Sequence, residues 1–116
     1  MAATKMKLGS VQFGIILTTV ITAVIHLYIG ITLPSTLFVL NGIGYLVLMI
    51  GLFVPISLAQ QNRALIRWGL IGFTAVTILA WLAIGDKSWP SGALGYITKL
   101  DEVVLLALLW MDRGRV

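Results

Sequence analysis

A chain of 116 residues that is 59% hydrophobic and 10% charged, with a mean hydropathy of +1.05, has room for one domain and more apolar surface than a soluble fold of that size can bury. The absence of cysteine excludes disulfides, thiolate metal sites and thiol redox chemistry. The net charge of +4 comes from Lys and Arg scattered singly or in pairs. It lacks the basic stripe with interleaved aromatics of a nucleic-acid surface, so it reads as a topology signal rather than as a nucleic-acid footprint.

In chain order, four segments have the length and composition of membrane spans, which need about 20 predominantly apolar residues. The first, 11-VQFGIILTTVITAVIHLYIGITL-33, has no formally charged residue. Lys5 and Lys7 precede it like a signal-peptide n-region, but the apolar run is too long and no small-x-small cleavage site follows, so an uncleaved span is expected. The second covers about 36–59, after the breaker Pro34-Ser35, with a kink expected at Pro55 in its last turns. The third covers about 67–85. The fourth, about 95–111, begins somewhere between Ser91 and Lys99.

If the chain crosses four times, Lys5, Lys7, Arg63, Arg67, Arg113 and Arg115 fall on one side. The opposite side carries an uncharged turn and a loop, 86-DKSWPSGALG-95, in which Asp86 offsets Lys87. The positive-inside rule then makes both termini cytoplasmic, and Trp68, Trp81, Trp89, Trp110 and Tyr96 near the span ends suit aromatic belts. The expected fold is all-α: a single integral membrane domain, residues 1–116, forming an up-down four-helix bundle in the cell membrane. Gly42, Gly44 and Gly51 of the second span and Gly69, Gly72, Ala75, Ala80 and Ala83 of the third are small enough for close helix contact.

That topology brings His26, Asn41, Asp101 and Glu102 to one shell in the outer leaflet, with Trp81 at the same depth. Ionisable groups within a span are expensive and face the bundle interior or a cavity. Thr19, Thr22, His26 and Gly30 share one helix face, and Asn41, Gly44, Tyr45 and Leu48 share another. A hydrogen bond from His26 to Asp101 or Glu102 would satisfy both partners. Three roles for His26 stand side by side: a packing histidine bonded to a neighbouring carbonyl, a ligand, proton or pigment site, or a residue placed at the lipid interface. Asn41 suits interhelical bonding. The run 98-TKLDE-102 also reads two ways. Thr98 and Asp101 fit an S/T-x-x-E capping pattern at a surface helix start. A helix from Thr98 is only about 21 Å long, however, so an earlier start that carries the charges inward is the alternative. Lys99 and Glu102 pair at i,i+3 in both cases.

No G-x-S-x-G, H-E-x-x-H or P-loop occurs. One His with two acids is too few for a catalytic zinc unless both acids bind, so no metal site is expected. His26 alone would suffice as a single axial ligand to a haem or a chlorophyll-type pigment, though nothing requires either. Small four-span multidrug exporters have a similar length, but they carry a membrane-embedded Glu in the first helix, where this chain has none.

The runs 25-IHLYIGITLPSTLFVLNGIGYLVLMIGLFVP-55 and 95-GYITKLDEVVLLALL-109 resemble a group of small four-span membrane proteins of no assigned activity. The shared features are a first-helix His, an LFxLNxxGYL-like second helix and a GYxxKxxEV-type fourth. The resemblance implies that His26, Lys99 and Glu102 belong to one recurring arrangement, and it adds no function.

The expected function is therefore that of a non-enzymatic accessory subunit or ligand-binding module of a membrane complex. Its expected partners are the lipid bilayer and a larger membrane protein or a second copy of itself. The candidate polar-layer residues are His26, Asn41, Tyr45, Trp81, Lys99, Asp101 and Glu102. The alternative is a lipid- or quinone-directed membrane enzyme or transporter working through His26 and the carboxylates.

Overall fold

A computed structural model describes residues 9–32, 35–85 and 92–112. The expectations for Lys5, Lys7, Pro34, Asp86, Lys87, Trp89, Arg113 and Arg115 fall outside that range. The described residues are almost entirely helical and contain no strand. Helix α1 is Ser10–Thr32 and α2 is Thr36–Phe53, followed by a short α3, Ser57–Gln61; α4 is Arg63–Ile84 and α5 is Ala93–Asp112. Helices α1, α2 and α4 are long and apolar enough to cross a membrane. Helix α5 has 20 residues, about 30 Å, but carries Lys99, Asp101 and Glu102 in its middle turns.

The end of the second span and the start of the third differ from the sequence reading, and of the two starts open to the fourth span the earlier one is found. The second span does not continue to residue 59 with a kink. It stops at Phe53, and Val54 is extended (ψ 132°), because the ring of Pro55 excludes the helical region for the residue before it. Chain direction changes through Val54–Ile56, α3 and Asn62, so α4 starts at Arg63, earlier than position 67. At the other boundary Thr98 is no cap. It lies in the second turn of α5 and donates its hydroxyl to the Leu94 carbonyl at 2.6 Å, so the charges of α5 are carried into the helix interior.

The helices contact in a ring. Helix α1 packs on α2 and α5, and α4 packs on the same two. Close residue pairs mark these contacts. Gly14 meets Leu108, Gly42 meets Ala23 and Leu27, Gly44 meets Phe73, and Gly51 meets Ile66. At Gly42 the approach depends on the missing side chain: a Cβ there would lie 2.8 Å from Leu27 Cγ and 2.9 Å from the Ala23 carbonyl oxygen.

Polarity is inverted relative to a water-soluble fold. Among the described residues the buried set contains seven apolar side chains, Ile15, Ala23, Tyr45, Leu52, Leu70, Leu105 and Leu109, against eleven polar or charged ones. Leucine, isoleucine and valine dominate the exposed side: Ile84 is 79% exposed, Ile31 73% and Leu65 72%. Buried charges are rare in soluble proteins, and a continuous apolar exterior is rarer still.

Candidate functional site

Glu102, 0% exposed, sits where three helices meet. Thr22 of α1 donates its hydroxyl to Oε2 at 2.7 Å. Tyr45 of α2 donates its phenol to the same oxygen at 3.3 Å. Lys99, one turn earlier on α5, donates from Nζ to Oε1. Both carboxylate oxygens therefore have charge-assisted or hydroxyl donors, as a buried carboxylate requires.

His26 lies beside this group, 5% exposed. Its Nδ1 is 2.8 Å from the Thr22 carbonyl oxygen and 3.2 Å from the Thr22 hydroxyl oxygen. A carbonyl only accepts, so Nδ1 carries a hydrogen. Its Nε2 faces Glu102 Oε2 at 4.0 Å, beyond hydrogen-bond range. The expected direct bond from His26 to a carboxylate is thus replaced by proximity, because Thr22, Tyr45 and Lys99 already occupy the carboxylate. The rings of Phe38 and Tyr45 stand 5.9 and 6.0 Å from the imidazole, centroid to centroid.

Asn41 donates from Nδ2 to the Thr77 hydroxyl at 3.0 Å, an α2–α4 bond one turn from Tyr45. Trp81 meets Tyr96 edge to face, with centroids 5.3 Å apart. Asp101 takes no part in the bonds to Glu102 and points to a different side of α5. Its Oδ2 is buried and has no hydrogen-bond partner among the described residues. The structure so joins His26, Tyr45, Lys99 and Glu102 into one cluster, links Asn41 to α4, and leaves Asp101 at the edge.

Sequence reasoning missed a second polar layer. Arg67 Nε donates to Asp112 Oδ2 at 2.9 Å, and Gln12 Nε2 donates to Asp112 Oδ1 at 2.7 Å. Arg67 and Asp112 are 1% and 2% exposed. In the sequence, Arg67 reads as a topology charge at a span end, and Asp112 falls just past the expected end of the fourth span. The spacing held the available signal. Gln12 and Thr22, Arg67 and Thr77, and Glu102 and Asp112 are each ten positions apart, placing the two layers about 15 Å apart along the helices. Between them the threonines are self-satisfied: Thr18 donates to Gly14 O, Thr19 to Ile15 O and Thr74 to Leu70 O. Apolar Ile15, Leu70, Leu105 and Leu109 fill the remaining space.

The site does not fit a macrocyclic cofactor. The only ring nitrogen of His26 free to ligate faces Glu102, and aromatic rings lie close to the imidazole, so no open face remains for a haem or chlorin plane. Among the described residues no three His, Asp or Glu side chains converge as metal ligands. Searches against protein-family models, curated proteins and solved structures found no match to the chain.

Proposed function

We propose that the chain is a multi-pass membrane protein, an up-down four-helix bundle with both termini cytoplasmic, that serves as a non-enzymatic accessory subunit or ligand-binding module of a membrane complex. The observation carrying this reading is the inverted polarity: an apolar exterior around an interior in which the carboxylates of Glu102 and Asp112 are satisfied by the chain's own donors. In hydrocarbon, polar groups must find partners inside the protein, and the layers around Glu102 and Asp112 do so. Helix α5 then crosses as the fourth span despite its charges, because Glu102 and Asp112 face inward and Lys99 is paired with Glu102.

The closed packing around Glu102 supports a non-enzymatic role over the alternative of a lipid- or quinone-directed enzyme or transporter. A substrate would have to reach a carboxylate with no exposed surface and three donors in place. Positioned acid–base catalysis needs the reacting proton within about 3 Å of the catalytic group. The small residues exposed on α4, Gly69, Gly72, Ala80 and Ala83, suit contact with a helix of a larger partner or a second copy.

Purification of the tagged chain after crosslinking in native membranes tests the reading. A stoichiometric membrane partner or a defined homo-oligomer, retained in Glu102→Gln, is the expected result. A monomer that turns over a quinone or lipid, with turnover lost in Glu102→Gln, would establish the enzyme instead.

A further inference from the structure

We propose that the layer around Glu102 is a proton-binding site, holding one exchangeable proton per chain between His26 Nε2 and Glu102 Oε2. The inference deepens the membrane-module reading above by naming the ligand of that layer.

The argument rests on the polarity of the hydrogen-bond network. His26 Nδ1 lies against the Thr22 carbonyl at 2.8 Å and must therefore hold a hydrogen whatever the charge of the ring. The neutral imidazole is then the Nδ1–H tautomer, and Nε2 presents a bare lone pair. Across 4.0 Å it meets Oε2, which already accepts from Thr22 and Tyr45. Two acceptors thus face each other in a buried space with no hydrogen between them. The Thr22 hydroxyl cannot supply one, because its single hydrogen is committed to Glu102 at 2.7 Å.

One proton from the aqueous phase resolves the mismatch. It forms an Nε2–H bond, breaks no bond within the protein, and turns two facing acceptors into a donor and an acceptor that attract strongly at low dielectric. The titratable and charged groups facing His26 come from the two helices packed on α1. Helix α5 contributes Glu102 and Lys99, with Asp101 next to Glu102, and α2 contributes Tyr45. Lys99 is the competing cation for the same carboxylate. Its side chain is 11% exposed, against 0% for Glu102, and a lysine of that length can swing its ammonium outward while its stem stays buried. Proton binding therefore adds a His26–Glu102 pair between α1 and α5, at Oε2, beside the Lys99–Glu102 pair within α5, at Oε1.

Because His26 is the single histidine of the chain, full-length protein labelled with ¹⁵N-histidine in lipid bilayers reads the site without assignment ambiguity. The spectrum is followed from about pH 9 to about pH 4, a range bracketing an ordinary histidine. The expected alkaline form has a protonated Nδ1 and a bare Nε2, and acid converts Nε2 to N–H in a one-proton transition. Glu102→Gln moves the transition to lower pH and Lys99→Met moves it to higher pH, since one removes the attracting charge and the other the competing one. An Nε2–H tautomer at alkaline pH, a bare Nε2 throughout the range, or a transition unmoved by both variants would overturn the proposal. The wild-type spectrum decides the tautomer even if a variant misfolds. Failure of the protein to float with the vesicles would instead contradict the membrane reading, independently of the tautomer.

Discussion

Thr22 and Glu102, eighty positions apart in the chain, are joined by a 2.7 Å hydrogen bond between α1 and α5. One residue thereby performs two tasks: its hydroxyl satisfies the buried carboxylate while its carbonyl fixes the orientation of His26. The same two helices are joined again at Gln12 and Asp112, at 2.7 Å. Two polar layers thus set the register of α1 against α5, and a slip of one turn would break both. A buried polar group that specifies register is the best-attested use of such groups.

Removing the carboxylate tests the first layer. Glu102→Leu leaves Lys99 without its counter-charge and takes the carboxylate acceptor from the Tyr45 phenol, and loss of one partner from a buried pair costs about 3–5 kcal/mol. His26→Leu is expected to cost less, because Glu102 keeps all three of its donors. Lys99→Leu with Glu102→Leu is expected to recover part of the loss. Thermal unfolding in detergent, followed by helical circular dichroism, ranks the variants. A His26→Leu protein less stable than Glu102→Leu would contradict the assignment.

The second layer gives a sharper double-mutant cycle. Arg67→Met or Asp112→Leu alone removes one charge of the buried ion pair, at about 3–5 kcal/mol each, whereas the double replacement by apolar side chains is expected to be near neutral. The coupling energy read from the four melting curves is the check. Strictly additive losses would mean that the pair at 2.9 Å contributes nothing jointly.

Glycines provide a steric control. Gly42→Ala drives a methyl against the Ala23 carbonyl at 2.9 Å, a backbone atom that cannot step aside, so α1 and α2 must separate at about 1–3 kcal/mol. Gly72 has nothing within 4 Å of an added Cβ, and Gly72→Ala is expected to be neutral or slightly stabilising through helix propensity of up to about 1 kcal/mol. Denaturant or thermal unfolding of the two alanine variants should separate them clearly. Equal destabilisation would contradict the helix packing described.

The all-helical character, the long apolar helices and the residues His26, Lys99 and Glu102 were legible in the sequence because charges and a lone histidine stand out against an apolar background. The partner of His26 was not legible. Helical periodicity places His26 and Glu102 on inward faces but says nothing of the threonine that intervenes between them. Thr22 shares the His26 face in the sequence but gives no sign of its partner, and Thr74 and Thr77 escape notice for a related reason: threonine is unremarkable in an apolar helix, and its value depends on which helix lies opposite. The Arg67–Asp112 pair was hidden by position, since charges at span ends are ordinarily interfacial. At Pro55 the chain breaks rather than kinks, because the proline ring keeps Val54 out of the helical region.

The central claim, a four-span bundle with both termini cytoplasmic, is tested most directly by single-cysteine labelling, for which the cysteine-free chain is a ready background. Cysteine is introduced at Ser10, Ser35, Asn62 or Ala93, none of them buried, and intact cells are treated with a membrane-impermeant maleimide before and after permeabilisation. The four-span topology predicts that Ser35→Cys and Ala93→Cys label in intact cells, while Ser10→Cys and Asn62→Cys label only after permeabilisation. Labelling of Asn62→Cys in intact cells, or of Ser35→Cys and Ala93→Cys on opposite sides, would contradict it.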